Sequence, residues 1–228
     1  VKVGARTTSF YAMLLAGLLA GAACTGSPPR QAQTVPDTPI PSTGTSTLTP
    51  TPSSPPPISE ARLRASALTI RDMPPGFHIY NTLAPDSGGT NYLCNKPGRT
   101  TPTHRLFEFF AKTNYGPFFG ETLSSFPTSS KAKLAYQQLV AAGDSCSKFT
   151  SGGSTSTVSA MSFPTLGQRT FAVHLSDRGA DAVESDHVYI LQGRVLLHIA
   201  VGGTVSDPDL LNTLSRKAVA RLKTEVPR

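Results

Sequence analysis

The stretch His187-Val188-Tyr189-Ile190-Leu191-Gln192-Gly193-Arg194-Val195-Leu196-Leu197-His198-Ile199-Ala200-Val201 reads as two strands folded back on each other. β-Branched, leucine and aromatic residues fill both arms, and one glycine interrupts them, which is a hairpin signal. With Gln192-Gly193 as a two-residue loop, Leu191 sits opposite Arg194, Tyr189 opposite Leu196 and His187 opposite His198. One face then carries Val188, Ile190, Val195 and Leu197 and should meet a helix. The other is more mixed and carries the two histidines. Directly opposed side chains have Cβ atoms about 4.5–5.5 Å apart. Two imidazoles at that distance could share a metal, with His174 as the plausible third ligand, or repel each other once protonated near pH ~6. A solvent-facing pair without function fits the same pattern. His187 and His198 are kept as candidate ligand-contacting residues, and no metal site is expected.

Working outward, Arg169 to Leu175 and Thr155 to Phe163 read as two further strands, with a polar loop from Asp177 to Ser185. Arg105 to Ala111 and Phe118 to Leu123 make an aromatic pair of strands around the turn Asn114-Tyr115-Gly116-Pro117. Nine of the 17 Phe and Tyr lie between Phe77 and Phe119. Alternation puts Phe107 and Phe109 on one face and Leu106, Glu108 and Phe110 on the other, so the strand should be covered on both sides. A carboxylate there must be paired or face a wet cleft, which makes Glu108 the third candidate ligand-binding residue. Three helices complete the pattern. Ser59 caps one through Leu68, which ends before Asp72-Met73-Pro74-Pro75-Gly76. Ser130 caps Lys131 to Ala142, with Leu134, Leu139, Ala142, Ala132 and Tyr136 on its apolar face and Gly143 at its end. Asp207 caps the last, with Pro208 at its first position and Leu210, Leu211, Leu214, Ala218 and Leu222 inward. The order is α-ββ-α-ββββ-α, an α+β fold with an antiparallel sheet of about six strands flanked by helices.

The N-terminal quarter is of another kind. Lys2 and Arg6 precede an apolar run from Phe10 to Ala23, which suits a secretory signal and is too short to span a bilayer of roughly 30 Å. The run ends Leu19-Ala20-Gly21-Ala22-Ala23-Cys24, which resembles a bacterial lipobox with Gly21 where leucine is preferred. Residues 1–23 are expected to be a lipoprotein signal peptide and Cys24 the lipidated residue. Cleavage by signal peptidase I after Ala22 is the competing reading. Residues 24–57 follow as a linker. Ten of the chain's 20 prolines lie between Pro28 and Pro57, and only Arg30 and Asp37 are charged. Such a segment has too little apolar surface to offset the entropy of ordering. The folded domain is residues 58–228.

With Cys24 lipidated, Cys94 and Cys146 remain, an even number in an oxidising compartment, and they are expected to form one disulfide. The chain carries 21 Lys and Arg against 14 Asp and Glu, a net +7. The surplus forms no basic stripe, so nucleic acid is not an expected partner. There is no G-x-S-x-G, P-loop, G-x-G-x-x-G or H-E-x-x-H, and neither a cofactor nor enzymatic activity is expected.

Ala67-Leu68-Thr69-Ile70-Arg71-Asp72-Met73-Pro74-Pro75-Gly76, Cys94 ahead of an aromatic hairpin, Gly143-Asp144-Ser145-Cys146, Pro164-Thr165-Leu166-Gly167 and the Gly193-centred hairpin together resemble a known group. These are the actinobacterial exported sensor-domain-containing lipoproteins, similar to the extracellular sensor domain of the serine/threonine kinase PknH. The resemblance covers nearly all of residues 58–228. It implies an antiparallel sheet flanked by helices, a ligand-binding cleft and no catalysis. The resulting expectation is a lipoprotein on the extracytoplasmic face of the cell membrane. Its sensor-like domain would bind an unidentified ligand or protein partner in the cell envelope. A lipid or glycolipid carrier, and less so a cell-wall hydrolase or transferase, are the alternatives.

Overall fold

The structure is a computed structural model, and it describes residues 56–83, 93–96, 98–113, 116–151, 154–178, 183–204 and 207–226. The signal peptide, Cys24 and almost all of the linker lie outside the described residues. The elements in chain order are α1 (Glu60–Ser66), β1 (His78–Leu83), β2 (His104–Ala111), β3 (Phe118–Ser125), α2 (Ser129–Asp144), β4 (Lys148–Ser151), β5 (Ser154–Ala160), β6 (Arg169–Arg178), β7 (Glu184–Gln192), β8 (Val195–Gly203) and α3 (Pro208–Glu225). Short 3-10 turns lie at Ile70–Asp72 and Leu93–Asn95. All eight strands form one antiparallel sheet, in the order β1-β2-β3-β8-β7-β6-β5-β4.

The α+β class is as expected, but among the described residues there are eight strands rather than about six. The additions are β1, His78-Ile79-Tyr80-Asn81-Thr82-Leu83, which the sequence reading does not make a strand, and β4, only four residues long. They form the two edges of the sheet. β2 is one strand in from an edge.

Helix starts are set by side chains that accept orphan backbone N–H groups. Ser59 Oγ accepts from Arg62 N at 3.3 Å, and Asp207 Oδ1 accepts from Leu210 N at 2.9 Å. On α2 the cap is Thr128, whose Oγ1 accepts from Lys131 N at 3.2 Å, so the helix starts earlier than Ser130. It also runs through Gly143. Its inward face is Ala132, Ala135, Tyr136, Leu139 and Ala142, while Leu134 is 42% exposed.

The sheet is covered on both faces. On one, α1 and α3 bury Leu63, Leu68, Leu211, Leu214, Ala218 and Leu222 against Leu106, Phe110, Phe119, Leu123, Val188, Ile190, Leu197 and Ile199. On the other, α2 buries Tyr136 and Leu139 against Val173, Leu175, Tyr189, Leu191 and Leu196. Phe109 and Phe118, with Tyr80 and Phe107, form a separate aromatic cluster on that second face.

The β7–β8 register differs from expectation. The central turn residues are Gly193 and Arg194, with Gln192 paired to Val195, Tyr189 to His198 and His187 to Ala200. Gly193 has φ +59° and takes the first central position, which a type II′ turn gives to glycine. Gln168 Oε1 accepts from its N–H at 2.9 Å. The pairing of His187 with His198 as direct opposites is therefore wrong. The slip is two residues, so side-chain faces are unchanged, because the period is two.

Inside α2, a Cβ on Gly143 would stand 2.5 Å from Phe171 Cζ and 2.8 Å from Cε1. Gly143→Ala is expected to lower the melting temperature. Overpacking costs about 1–3 kcal/mol, against a helix-propensity gain of about 1 kcal/mol. A rise in thermal unfolding temperature would contradict this packing.

Candidate functional site

The three candidate ligand-binding residues do not come together. Glu108 lies on the α1/α3 face of the sheet, and His187 and His198 lie on the α2 face.

Glu108 pairs across β2–β3 with Glu121, a residue the sequence reading passed over. Glu121 is 1% exposed. Its Oε2 accepts from Leu68 N at 2.7 Å, and its buried Oε1 has no partner among the described residues. Burial, reinforced by the neighbouring charge of Glu108, pushes its carboxyl up to about 8, against the Leu68 hydrogen bond. Burial also raises Glu108, and Arg64 opposes it. The segment above this pair is Ala67 to Gly76. Arg221 Nη1 donates to Ala67 O at 2.6 Å and meets Asp72 Oδ2 at 3.2 Å. Burial alone would raise Asp72, but hydrogen bonds from Thr69 and the charges of Arg221 and Lys217 hold its carboxyl below the usual range. The motif thus bolts the end of α1 to α3 and, through Leu68, to the sheet. Glu121 belongs to that fastening, and Glu108 is its cross-strand neighbour.

The α2 face has a different character. His187 Nδ1 lies 3.0 Å from His198 Nε2, and Ser185 Oγ lies 2.9 Å from His187 Nε2. The imidazole centroids are 5.2 Å apart with planes 13° from parallel. With a nitrogen–nitrogen distance of 3.0 Å, the rings must lie end to end in nearly one plane, joined by one N–H···N bond. The two nitrogens therefore point at each other across a shared proton, and their lone pairs do not converge on a third point where a metal could sit. Tyr189 stacks on His198, with centroids 4.3 Å apart and planes 8° from parallel. His174 is on the opposite face, its Nδ1 2.7 Å from the buried Asp186 Oδ1, so it cannot be a third ligand. Among the described residues no group of three metal-ligating side chains is assembled. Burial lowers His187 to about 4, helped by His174 and opposed by Asp186. Burial, then His187 and Arg105, holds His198 well below the ordinary range. Both are neutral at pH 7. Both residues also keep partial solvent access.

The register places this chain beside the aromatic cluster. One row across the sheet runs Phe118–Gly202–Ser185, the next Phe109–Gly120–Ala200–His187, and the next Phe107–Thr122–His198–Tyr189. Between an aromatic wall and a polar wall lies a strip bearing nothing larger than a methyl group: Gly120 and Gly202, both buried, and Ala200, which is partly open. Phe107 and Phe109 lean over Gly120, while Ala200, Ser185, His187 and His198 are partly open. Phe109 stacks on Phe118 at 5.8 Å and 17°, and Tyr80 meets Phe109 edge-on at 5.7 Å. The arrangement can hold an uncharged ligand, with an apolar part against the phenyl rings and a hydrogen-bonding part at the imidazoles.

No family model matches this chain, and no curated protein matches it. Among solved structures it is similar to the crystal structure of the extracellular domain of PknH from Mycobacterium tuberculosis. Identity is 14%, and the match covers 74% of this chain and 98% of that one, with a TM-score of 0.56. At that identity the likeness is one of fold: this domain has the architecture of the PknH extracellular domain, an antiparallel sheet with helices packed on it.

Proposed function

We propose that this chain is an extracytoplasmic, membrane-tethered binding domain that takes an uncharged, partly apolar ligand on the α2 face of its sheet. The observation that supports this most is the strip of Gly120, Ala200 and Gly202 between phenyl rings and neutral imidazoles. Lipidation of Cys24 supplies the tether in this reading, and the proline-rich linker holds the domain off the membrane. The reading needs no turnover and no cofactor. The partner is an envelope ligand or protein. No helix among the described residues is long and apolar enough to cross a membrane.

Two measurements test it. Phenylnaphthylamine, an uncharged apolar fluorophore, is expected to bind with a rise in emission, and Ala200→Phe, which fills the strip, should weaken binding at least tenfold. Unchanged affinity in that variant removes the site. For the tether, Cys24→Ala should move the protein from the membrane fraction to the soluble fraction. A variant still wholly membrane-bound contradicts lipidation there.

A further inference from the structure

Ser185, His187 and His198 stand in an order that hydrogen bonding alone does not require. Ser185 Oγ meets the Nε2 end of His187, and the Nδ1 end of the same ring meets His198 Nε2. In the tautomer with the proton on Nδ1, the hydroxyl donates to Nε2 and Nδ1–H donates to His198. That is the geometry of a nucleophile, its base and a group that orients the base. We propose that Ser185 is an activated nucleophile, with His187 as its general base and His198 as the positioning residue, and that it accepts the acyl group of an ester lying over Ala200. This goes beyond the binding reading, which needs no reactive group.

All three residues are partly open to solvent. Ser185 pairs across β7–β8 with Gly202, which carries no side chain to screen it from the strip. A Cβ there would come within 3.0 Å of Ser185 Cβ, so only glycine leaves that side of the serine clear. Phe118 ends the same row and gives an acyl chain an apolar surface. His187 is unprotonated at neutral pH and so can accept a proton. The charge of Asp186, on the neighbouring residue, favours the imidazolium that results.

In the step, Ser185 Oγ bonds to the ester carbonyl carbon and its proton passes to His187 Nε2. The bond from that carbon to the leaving oxygen breaks, and the proton on Nε2 goes to the departing alkoxide, which leaves as an alcohol. Water attacking the acyl-serine by the same route returns the serine and releases a carboxylic acid. No electrons change hands. Ser185 lies mid-sheet, paired with both Leu175 and Gly202, so its own N–H is engaged in strand pairing. A missing oxyanion donor typically costs 10²–10³ in rate. Slow capture of one acyl group per chain is therefore the expected behaviour.

The test uses the full chain with p-nitrophenyl butyrate and, separately, a fluorophosphonate. One butyryl or phosphonyl adduct per chain is expected, mapped to the peptide holding Ser185, with none in Ser185→Ala. His187→Ala should slow labelling at least tenfold. His198→Ala should slow it similarly, and His198→Asn, which still offers an oxygen to the Nδ1–H, should restore much of the rate. Loss of folding alone would not produce that rescue. Phenylnaphthylamine binding is measured on each variant. Adducts elsewhere, no adduct, or Ser185 labelled equally fast without His187 overturn the proposal. Binding without labelling overturns it while leaving the binding reading intact. Labelling without binding does the reverse.

Discussion

Replacing Cys94 and Cys146 together by alanine is expected to lower the stability of the domain by about 4 kcal/mol and its melting temperature by roughly 8–16 °C. The bond closes a loop of 52 residues, and in the chain-entropy model a loop of that length confines the unfolded chain by about that much. The native side adds to the argument. Leu93 is buried in the core under α2, and Asn95 Nδ2 donates to Thr150 O at 3.1 Å. Arg99 N and Thr100 Oγ1 both donate to Gln138 Oε1, at 3.1 and 3.0 Å. The segment around Cys94 therefore docks on α2 and β4 through contacts that the disulfide holds in register. Denaturant unfolding of the oxidised protein, the reduced protein and the double variant measures it. A loss under 1 kcal/mol would show that the unfolded chain is already confined by other means.

What the sequence revealed follows from how local each signal is. The caps at Ser59 and Asp207 are written in neighbouring residues and were readable. So was the division of β7 and β8 into an apolar set and a histidine face, because alternation survives a two-residue slip, whereas the helix that packs on part of the histidine face was not. The partner of His187 was not readable, since Gln192-Gly193 and Gly193-Arg194 both offer a glycine to a turn. The contact itself survived the error. An imidazole reaches the diagonal neighbour about 7–8 Å away as well as the direct one, and His187 meets His198 on that diagonal. Of the edge strands, β4 was hidden by its shortness, while β1 was missed. Glu108 drew attention as a carboxylate among aromatics, yet Glu121, in an otherwise apolar and small-residue strand, carried the same signal more strongly. What settles its state is burial beneath a segment 53 residues away, whose Leu68 N–H opposes the rise, and no local pattern encodes that. Ser185 escaped for the same reason. A nucleophile elbow has a local motif, whereas three side chains meeting across β7 and β8 have none.

Glu121→Gln is expected to stabilise the protein at neutral pH and to leave it nearly unchanged near pH 4.5. The folded state holds the Glu121 carboxyl at about 8, against a reference of 4.5. Its folded value is raised, so its favourable contribution is complete below 4.5 and is lost as pH rises toward 8. At pH 7 the loss is on the order of 3 kcal/mol, or roughly 6–12 °C in melting temperature. Glutamine keeps an oxygen for the Leu68 N–H and never ionises. Three other groups act nearby. Glu108, raised by burial, pulls in the same direction. Asp72, lowered, contributes stability that is lost only as pH falls below about its reference of 3.8. Arg221 holds Asp72 through an ion pair at 3.2 Å. On the far face His187 runs the opposite way. Its value falls from 6.5 to about 4, so its contribution is complete above 6.5 and fades toward 4. Between pH 4.5 and 6.5 these slopes oppose each other and flatten the wild-type profile, with His198 acting on the same side as His187; above 6.5 the fall due to the buried acids is unopposed by either histidine. The difference between variant and wild type isolates Glu121, and it should grow steadily from pH 5 to pH 8. A difference constant across that range would mean that Glu121 ionises freely, and that the bolt between α1 and the sheet is not held by a protonated acid.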